Sequence, residues 1–357
     1  MTNPKTMRAW LYNNTISSVQ SNLTFHPSTR TPPLPSHPSQ LLIKILSTSL
    51  NPADCKVPEQ STILGKTLIC ALPASPGLDF AGEVVALHPR YVKDEFKPGT
   101  LVYGCLARPR EFGTTGEYIL VDENDCAPLP EGVGVDDAAC VGVAMRTAWQ
   151  SVKYYLQPPS NTPNESPGKQ SGKQKKVFIN GGSGGCGVFA IQFAKLLGAH
   201  VTTTCSTRNI NLVKSLGADE VIDYTTTDVT STLKEKGLIF DHVIDHIGLP
   251  SNLYAECHHF LKPGCTWVQV GSGSIMTAVW RLFTPRWLGG GRRWFWPLML
   301  ENSKGDLVEV GEMLRDGRVR VVVDSVHEFE DVKKAYGILG SGRARGKIVV
   351  RVAERSA

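Results

Sequence analysis

Residues 176 to 187 read KVFINGGSGGCG, which puts Gly182, Gly184 and Gly187 in G-x-G-x-x-G spacing. The context gives this spacing its force. An apolar strand pattern ends where the glycines begin, an amphipathic helix pattern (GVFAIQFAKLLGA) starts where they end, and a second strand pattern begins near Val201. Strand, glycine turn and helix in that order make a βαβ unit with parallel strands. In such a unit the glycines let backbone N–H groups approach a pyrophosphate, whose charge the helix N-terminus stabilises. The motif predicts dinucleotide binding; the competing reading is a glycine-rich loop that merely packs.

The strand–helix rhythm continues through HVTTTCS, RNINLVKSLGAD, EVIDY, DHVID and TWVQVG, so a parallel sheet fills the chain from about residue 176. The first 145 residues differ. Short β-type runs (LLIKILS, GEVVALH, TLVYG, EYILVD) alternate there with Pro and Gly, and they predict an all-β domain. Between the two lies 158–176, rich in Pro, Ser, Gly, Asn and Lys, which reads as a long exposed loop. After it come two helix patterns, DLVEVGEMLRDG and EDVKKAYGILG, and two strand patterns, RVRVVVD and GKIVVRV. A length of 357 residues suits two domains.

Charge excludes one class of partner. Thirty-eight Lys+Arg against 33 Asp+Glu leave +5, too little and too evenly spread to argue for nucleic acid. Nine cysteines without a C-x-x-C pair fit a reduced, intracellular protein better than a disulfide framework or a zinc ribbon. The start, MTNPKTMRAWLYNN, lacks the apolar run of a signal peptide, so the expected location is cytoplasmic. The one long apolar stretch, 275–300, is interrupted by Arg281, Arg286, Arg292, Arg293 and two prolines, and it lacks the ~20 apolar residues of a span.

The second strand of the βαβ unit ends in CSTRN, where an NAD-selective fold would place Asp or Glu on the ribose 2′-OH. Ser206, Thr207 and Arg208 stand there instead. A hydroxyl and a guanidinium can donate charge-assisted hydrogen bonds to a 2′-phosphate that a carboxylate would repel. NADPH is the expected cofactor. The alternative is an exposed Arg at a helix start.

SLNPADCK (49–56), PGLDFAGEVV (76–85), KPGTLVYG (97–104), TTGEYILVDENDCAPLPEGVGVDDAA (114–139), INGGSGGCGVFAIQFAKLLGA and LGADEVIDY (216–224) follow in one order. Together they resemble the medium-chain dehydrogenase/reductase superfamily, in its zinc-free quinone oxidoreductase branch, over nearly the whole chain. The resemblance implies an α/β architecture: a GroES-like β-barrel catalytic domain, 1–146 and 318–357, with a doubly wound Rossmann domain, 147–317, inserted and the active site in the cleft between them. It implies that Ser206, Arg208 and Tyr224 contact a 2′-phosphate, with Tyr224 as a core aromatic the alternative. Ser183, Gly185, Cys186 and Gly271 would run along the cofactor with the three motif glycines. Thr147 corresponds to a family threonine near the nicotinamide. Its neighbour Arg146 departs from the family's small or apolar residue, and either orients an acidic substrate or pairs with a carboxylate. Homodimerisation is a family expectation.

In the zinc alcohol dehydrogenases of this superfamily a His of a G-H-E word ligates zinc; here the word is Gly77-Leu78-Asp79, and leucine cannot. Cys55 lies near the first ligand's region but is offset, and Cys257-His258-His259 reads as packed or exposed helix. No metal is expected. Without a Lewis acid the easier chemistry is hydride addition from NADPH to an electrophilic small molecule, an enone, an enal, an enoyl thioester or a quinone. The candidate donors to its oxygen are Asn51 and Lys56, with Lys56 as a surface lysine the competing reading. His246 either overhangs the nicotinamide ribose or is a plain loop histidine. The segment 280–296, with Trp280, Trp287, Trp294, Phe295, Trp296, four arginines and Gly289–Gly291, reads as a substrate lid, a dimer contact or a peripheral membrane anchor. Two other functions compete: a trans-acting enoyl reductase of a polyketide pathway, and a non-catalytic NADPH-binding or membrane-associated scaffold.

Overall fold

The structure, a computed structural model, describes residues 4–61, 71–91, 93–156, 174–270, 281–283 and 292–354. Its backbone divides into two units, 1–146 with 301–357, and 147–300. The first contributes β1 (Thr6–Leu11), β2 (Thr24–Arg30), β3 (Gln40–Leu50), β4 (Asp79–Leu87), β5 (Leu101–Cys105), β6 (Tyr118–Asp122) and β7 (Cys126–Pro128). The second contributes β8 (Lys176–Asn180), β9 (His200–Cys205), β10 (Glu220–Asp223), β11 (Phe240–Asp245), β12 (Leu261–Gln269) and β13 (Trp294–Pro297). The chain then returns to the first with β14 (Val323–Glu328) and β15 (Lys347–Arg351).

The first unit is built on β3. Its residues 41–47 pair with β4 along one edge, while β6 pairs with its first half and β15 with its second half along the other. A strand with both edges used and both faces covered needs apolar residues on both faces, and Leu41, Leu42, Ile43, Ile45, Leu46 and Leu50 are all buried. This mixed sheet is the GroES-like barrel, with Trp10, Phe80, Phe96, Phe329 and Tyr336 in its core.

The unit is not all β. A helix runs over Pro52–Ser61, and its start is written in the NPAD word: Asn51 precedes the helix, Pro52 takes its first position, and the Asp54 carboxylate accepts the Asn51 backbone N–H at 2.8 Å. Two further helices, Lys304–Arg315 and Val332–Gly340, occupy the return segment. The return comes at residue 301 rather than 318, because Arg146 donates to Asn302 and Ser303, Tyr103 donates to the Leu307 carbonyl and Lys304 reaches Glu95. The strand predicted over RVRVVVD starts only at Val323, since Arg318 and Val319 donate their N–H groups to Met313 and extend the helix end.

The second unit is a parallel sheet in the order β10-β9-β8-β11-β12-β13. The chain starts in the middle at β8, moves outward through β9 and β10, and crosses back to β11 on the other side. This is the doubly wound Rossmann order, and its direction reverses at the carboxyl ends of β8 and β11. Phe178, Phe240, Phe260 and Trp267 fill one side of the sheet. Most of the loop read over 158–176 lies outside the described residues, and Lys176 already belongs to β8.

Candidate functional site

At the carboxyl end of β8 the chain turns through Gly181 at φ +88° and enters the helix Gly187–Leu196. Two of the three motif glycines are required by the protein itself. A Cβ on Gly187 would lie 2.1 Å from the Gly181 carbonyl oxygen, and one on Gly182 would lie 2.1 Å from Thr203 Oγ1. Gly184 is different. The nearest atom to a Cβ there is the Gly181 oxygen at 3.6 Å, so packing tolerates a side chain at that position and the open space is left for something else. The loop is fixed from the second strand: Thr204 Oγ1 accepts the Gly181 N–H at 2.8 Å and its carbonyl accepts the Gly182 N–H at 2.9 Å.

Register places the next residues. Cys205 pairs with Asp223 at the ends of β9 and β10, so Ser206, Thr207 and Arg208 leave the sheet beside Tyr224. Arg208 is exposed, and Tyr224 is exposed too rather than a core aromatic. Thr207 and Thr225 donate hydroxyl hydrogen bonds of 2.5 and 2.6 Å to Asp223, which hold that carboxyl below its ordinary range. Asn209 donates to Ser183 Oγ at 3.0 Å, which ties the turn after β9 to the glycine loop. Its amide oxygen is buried with no partner.

A second unpartnered group flanks the loop at the end of β11. His246 donates its backbone N–H to Asn180, and both its ring nitrogens are buried without a hydrogen-bond partner. Burial pushes its pKa down to about 4, so the ring is neutral at pH 7. Buried polar groups in proteins are normally satisfied, and two that are not, bracketing a glycine turn, mark a place for a ligand rich in hydrogen-bonding groups. A dinucleotide fits: the Gly181–Gly187 loop would hold its pyrophosphate, and the ends of β9 and β11 its two halves. Ser183, Gly185 and Cys186 belong to that loop, while Gly271 lies outside the described residues.

The first unit holds a polar centre of another kind. Asp79, Lys347 and Asn51 are at most 3% exposed. Asp79 accepts from the Val143 N–H at 2.6 Å on one oxygen, and from Ser49, Asn51 and Lys347 on the other. The Lys347 ammonium donates to the Leu50 carbonyl, Asn51 Oδ1 and Asp79. The Asn51 amide donates to Asp79 at 2.8 Å and to the Ser49 carbonyl at 3.4 Å. Both of its amide hydrogens are engaged, so Asn51 in this arrangement braces the barrel and has none to offer a substrate. Beside it Asp54 is fully buried, one oxygen held by Asn51 and Tyr336 and the other without a partner, and burial pushes its pKa up to about 7.

Lys56, two residues on, is exposed on the same helix. Thr147 is buried in the first turn of the helix Arg146–Leu156. Arg146 is neither a substrate clamp nor a carboxylate's partner: wholly buried, it donates to Gly142, Asn302, Ser303 and the Cys105 sulfur. Its bonds to Asn302, Ser303 and Cys105, which lie 156, 157 and 41 positions away, were invisible in the sequence. Of the Trp/Arg segment, Trp294 and Trp296 point outward from β13, the edge strand, with Phe295 inward. Arg281 stacks over Tyr254 and Phe295, and Arg293 donates to the carbonyls of Leu261 and His258, so both brace the unit. Trp280, Trp287 and Gly289–Gly291 lie outside the described residues. No helix among the described residues is long and apolar enough to cross a membrane.

Residues 37–131 match the family described as alcohol dehydrogenase GroES-like domain, and residues 216–350 the family described as zinc-binding dehydrogenase. The trans-enoyl reductase pgmF of Aspergillus terreus is 40% identical over 366 aligned residues, covering 98% of each chain. The zinc-type alcohol dehydrogenase-like protein C16A3.02c of Schizosaccharomyces pombe is 31% identical over 97% of this chain and 96% of its own. Among solved structures, the quinone oxidoreductase from Coxiella burnetii superposes with a TM-score of 0.81 at 25% identity, covering 98% of this chain and 100% of that one.

Proposed function

The chain belongs to the medium-chain dehydrogenase/reductase superfamily, and on that premise we propose that it is an NADPH-dependent, zinc-independent reductase that delivers hydride to a quinone or an α,β-unsaturated carbonyl. The observation that carries the cofactor choice is the end of β9. Ser206, Thr207 and Arg208 stand where a carboxylate would select NAD, Tyr224 lies beside them, and the nearby Asp223 carboxylate is already engaged by Thr207 and Thr225.

Zinc does not fit the donor set. Leu78 is buried at the place where the resemblance puts the ligating histidine. Cys105 is already engaged, its sulfur accepting from the Arg146 guanidinium. Among the described residues no three His, Cys, Asp or Glu side chains gather at metal-binding distances. Stoichiometric zinc in the purified protein would overturn this part of the reading.

When bound, the dinucleotide supplies the hydride. The chain's residues hold it at the Gly181–Gly187 loop and complete the reduction with a proton. Adding hydride to the β-carbon of an enone leaves charge on the oxygen and α-carbon, and we assign the proton to the Lys56 ammonium, with Thr147 near the nicotinamide and Asn51 bracing the helix that carries Lys56. A second reading has a specific basis: the 40% identity to a trans-enoyl reductase favours an enoyl thioester on a carrier protein as the acceptor.

The test is NADPH oxidation with a matched panel of quinone, enone, free enoyl thioester and carrier-bound enoyl thioester. Turnover of one class with NADH much poorer, and an Arg208→Ala variant whose NADPH preference falls roughly tenfold as a charge-assisted contact is lost, supports the reading. Tight NADPH binding with no turnover of any member would favour a non-catalytic scaffold.

A further inference from the structure

The glycine loop divides the carboxyl edge of the second sheet. Ser206, Arg208 and Asn209 lie on the β9 side of β8, and His246 lies on the β11 side. A doubly wound sheet binds a dinucleotide across that point, one mononucleotide on each side. The β9 side is the one with the 2′-phosphate-matching groups, so the β11 side takes the nicotinamide half. His246 is close to the loop: a Cβ built on Gly181 would lie 3.7 Å from His246 Cβ. Its backbone is fixed by the Asn180 carbonyl, and the neighbouring Asp245 carboxylate is held by Asn180 and the N–H groups of Ile247 and Gly248. The ring bonds to none of these and keeps both nitrogens unpartnered and buried. A neutral imidazole offers one donor and one acceptor, and a ribose hydroxyl is both at once, whereas a phosphate would use only the donor.

We propose that His246 is the positioning residue for the nicotinamide-side ribose of the bound dinucleotide, with its ring hydrogen-bonded to a ribose hydroxyl. The inference rests on the reading of the second unit as a nicotinamide dinucleotide site. Ring nitrogens buried without a partner are a cost to the ligand-free protein, and a ligand that supplies the partner relieves it. The His246 ring therefore contributes no hydrogen bond to the empty fold and acts on one half of the ligand alone.

The experiment uses two probes, NADPH and adenosine 2′,5′-bisphosphate, which carries the adenosine half only. Their dissociation constants are measured by titration calorimetry for the whole wild-type chain, His246→Ala and His246→Gln. We expect His246→Ala to weaken NADPH roughly tenfold and leave the bisphosphate unchanged, and His246→Gln, which keeps a donor and an acceptor, to recover most of the loss. The ligand-free His246→Gln protein, which keeps most of the side-chain volume, should melt no lower than wild type. Equal weakening of both probes, or a lower ligand-free melting temperature of His246→Gln, would show a structural role and overturn the proposal. Unchanged NADPH affinity in His246→Ala would overturn it while leaving the dinucleotide site standing. A wild-type chain that binds neither probe would remove the dinucleotide reading itself, and the proposal with it.

Discussion

The molecule contains two polar centres that look alike in composition and differ in completeness. Every side-chain donor and acceptor of Asp79, Lys347 and Asn51 themselves has a partner inside the first unit. Around the glycine loop of the second unit Asn209 and His246 keep buried atoms with none. A satisfied buried network holds shape, and its members act as scaffold even where, like Asn51, they sit in a motif associated with chemistry. An unsatisfied one holds room for a ligand. Completeness of hydrogen bonding, more than the presence of polar residues, separates the brace from the site.

The sharpest break in that comparison is to unbalance the brace. Lys347→Met leaves the Asp79 carboxylate buried without its counter-charge, and should cost about 3–5 kcal/mol in urea unfolding. The double variant Lys347→Met/Asp79→Leu should regain much of the loss, because the uncompensated charge is gone. Recovery of none of it would mean that the network matters for its shape and not for its charge balance.

The glycine loop gives the converse contrast. Gly187→Ala drives a methyl into the Gly181 carbonyl and should cost roughly 1–3 kcal/mol of stability together with NADPH binding. Gly184→Ala meets nothing closer than 3.6 Å, so thermal unfolding should move by less than about 0.5 kcal/mol while NADPH affinity falls. A Gly184→Ala protein with full affinity would show that the ligand does not approach that position.

Asp54, beside the first centre, keeps one buried oxygen without a partner, and pH sharpens its part. Its folded pKa, about 7, lies above the ordinary aspartate value of 3.8, so the folded state keeps a proton that the unfolded chain releases. The stability linked to that proton is fully present below about pH 4 and is lost as pH rises through 7. Between pH 5 and 7 the wild type should lose up to about 1.4 kcal/mol per pH unit relative to Asp54→Asn, in urea titrations of both. Parallel curves for the two proteins would assign the titration elsewhere.

Much of this was legible in the sequence. The glycine spacing, the strand before it and the helix after it determine the turn, since six residues of chain can hardly satisfy those constraints otherwise, and the parallel order of the second unit follows from the repeated strand–helix rhythm. The NPAD word was legible too, but with two meanings. As letters it suggested a donor to substrate; in the fold Pro52 and Asp54 start a helix, and that reading was open from the spacing alone. The helix Pro52–Ser61 was masked by the strand patterns on either side of it, whereas the two helices of the return segment were legible, and Arg146 was hidden by a partner set of three carbonyl or amide oxygens and a sulfur.

Local pattern, then, determined what neighbouring residues do to one another: where a turn needs glycine, where a helix begins, which strand face is apolar. The tertiary structure decided which distant groups meet. Lys347 finds Asp79 across 268 positions, and His246 comes to the edge of a loop 65 positions earlier in the chain, only because strand pairing sets β15 against β3 and β11 against β8. Covalent geometry limits the first kind of relation to a few conformations. The second depends on hydrogen-bond register summed over whole sheets, which no single stretch of sequence carries.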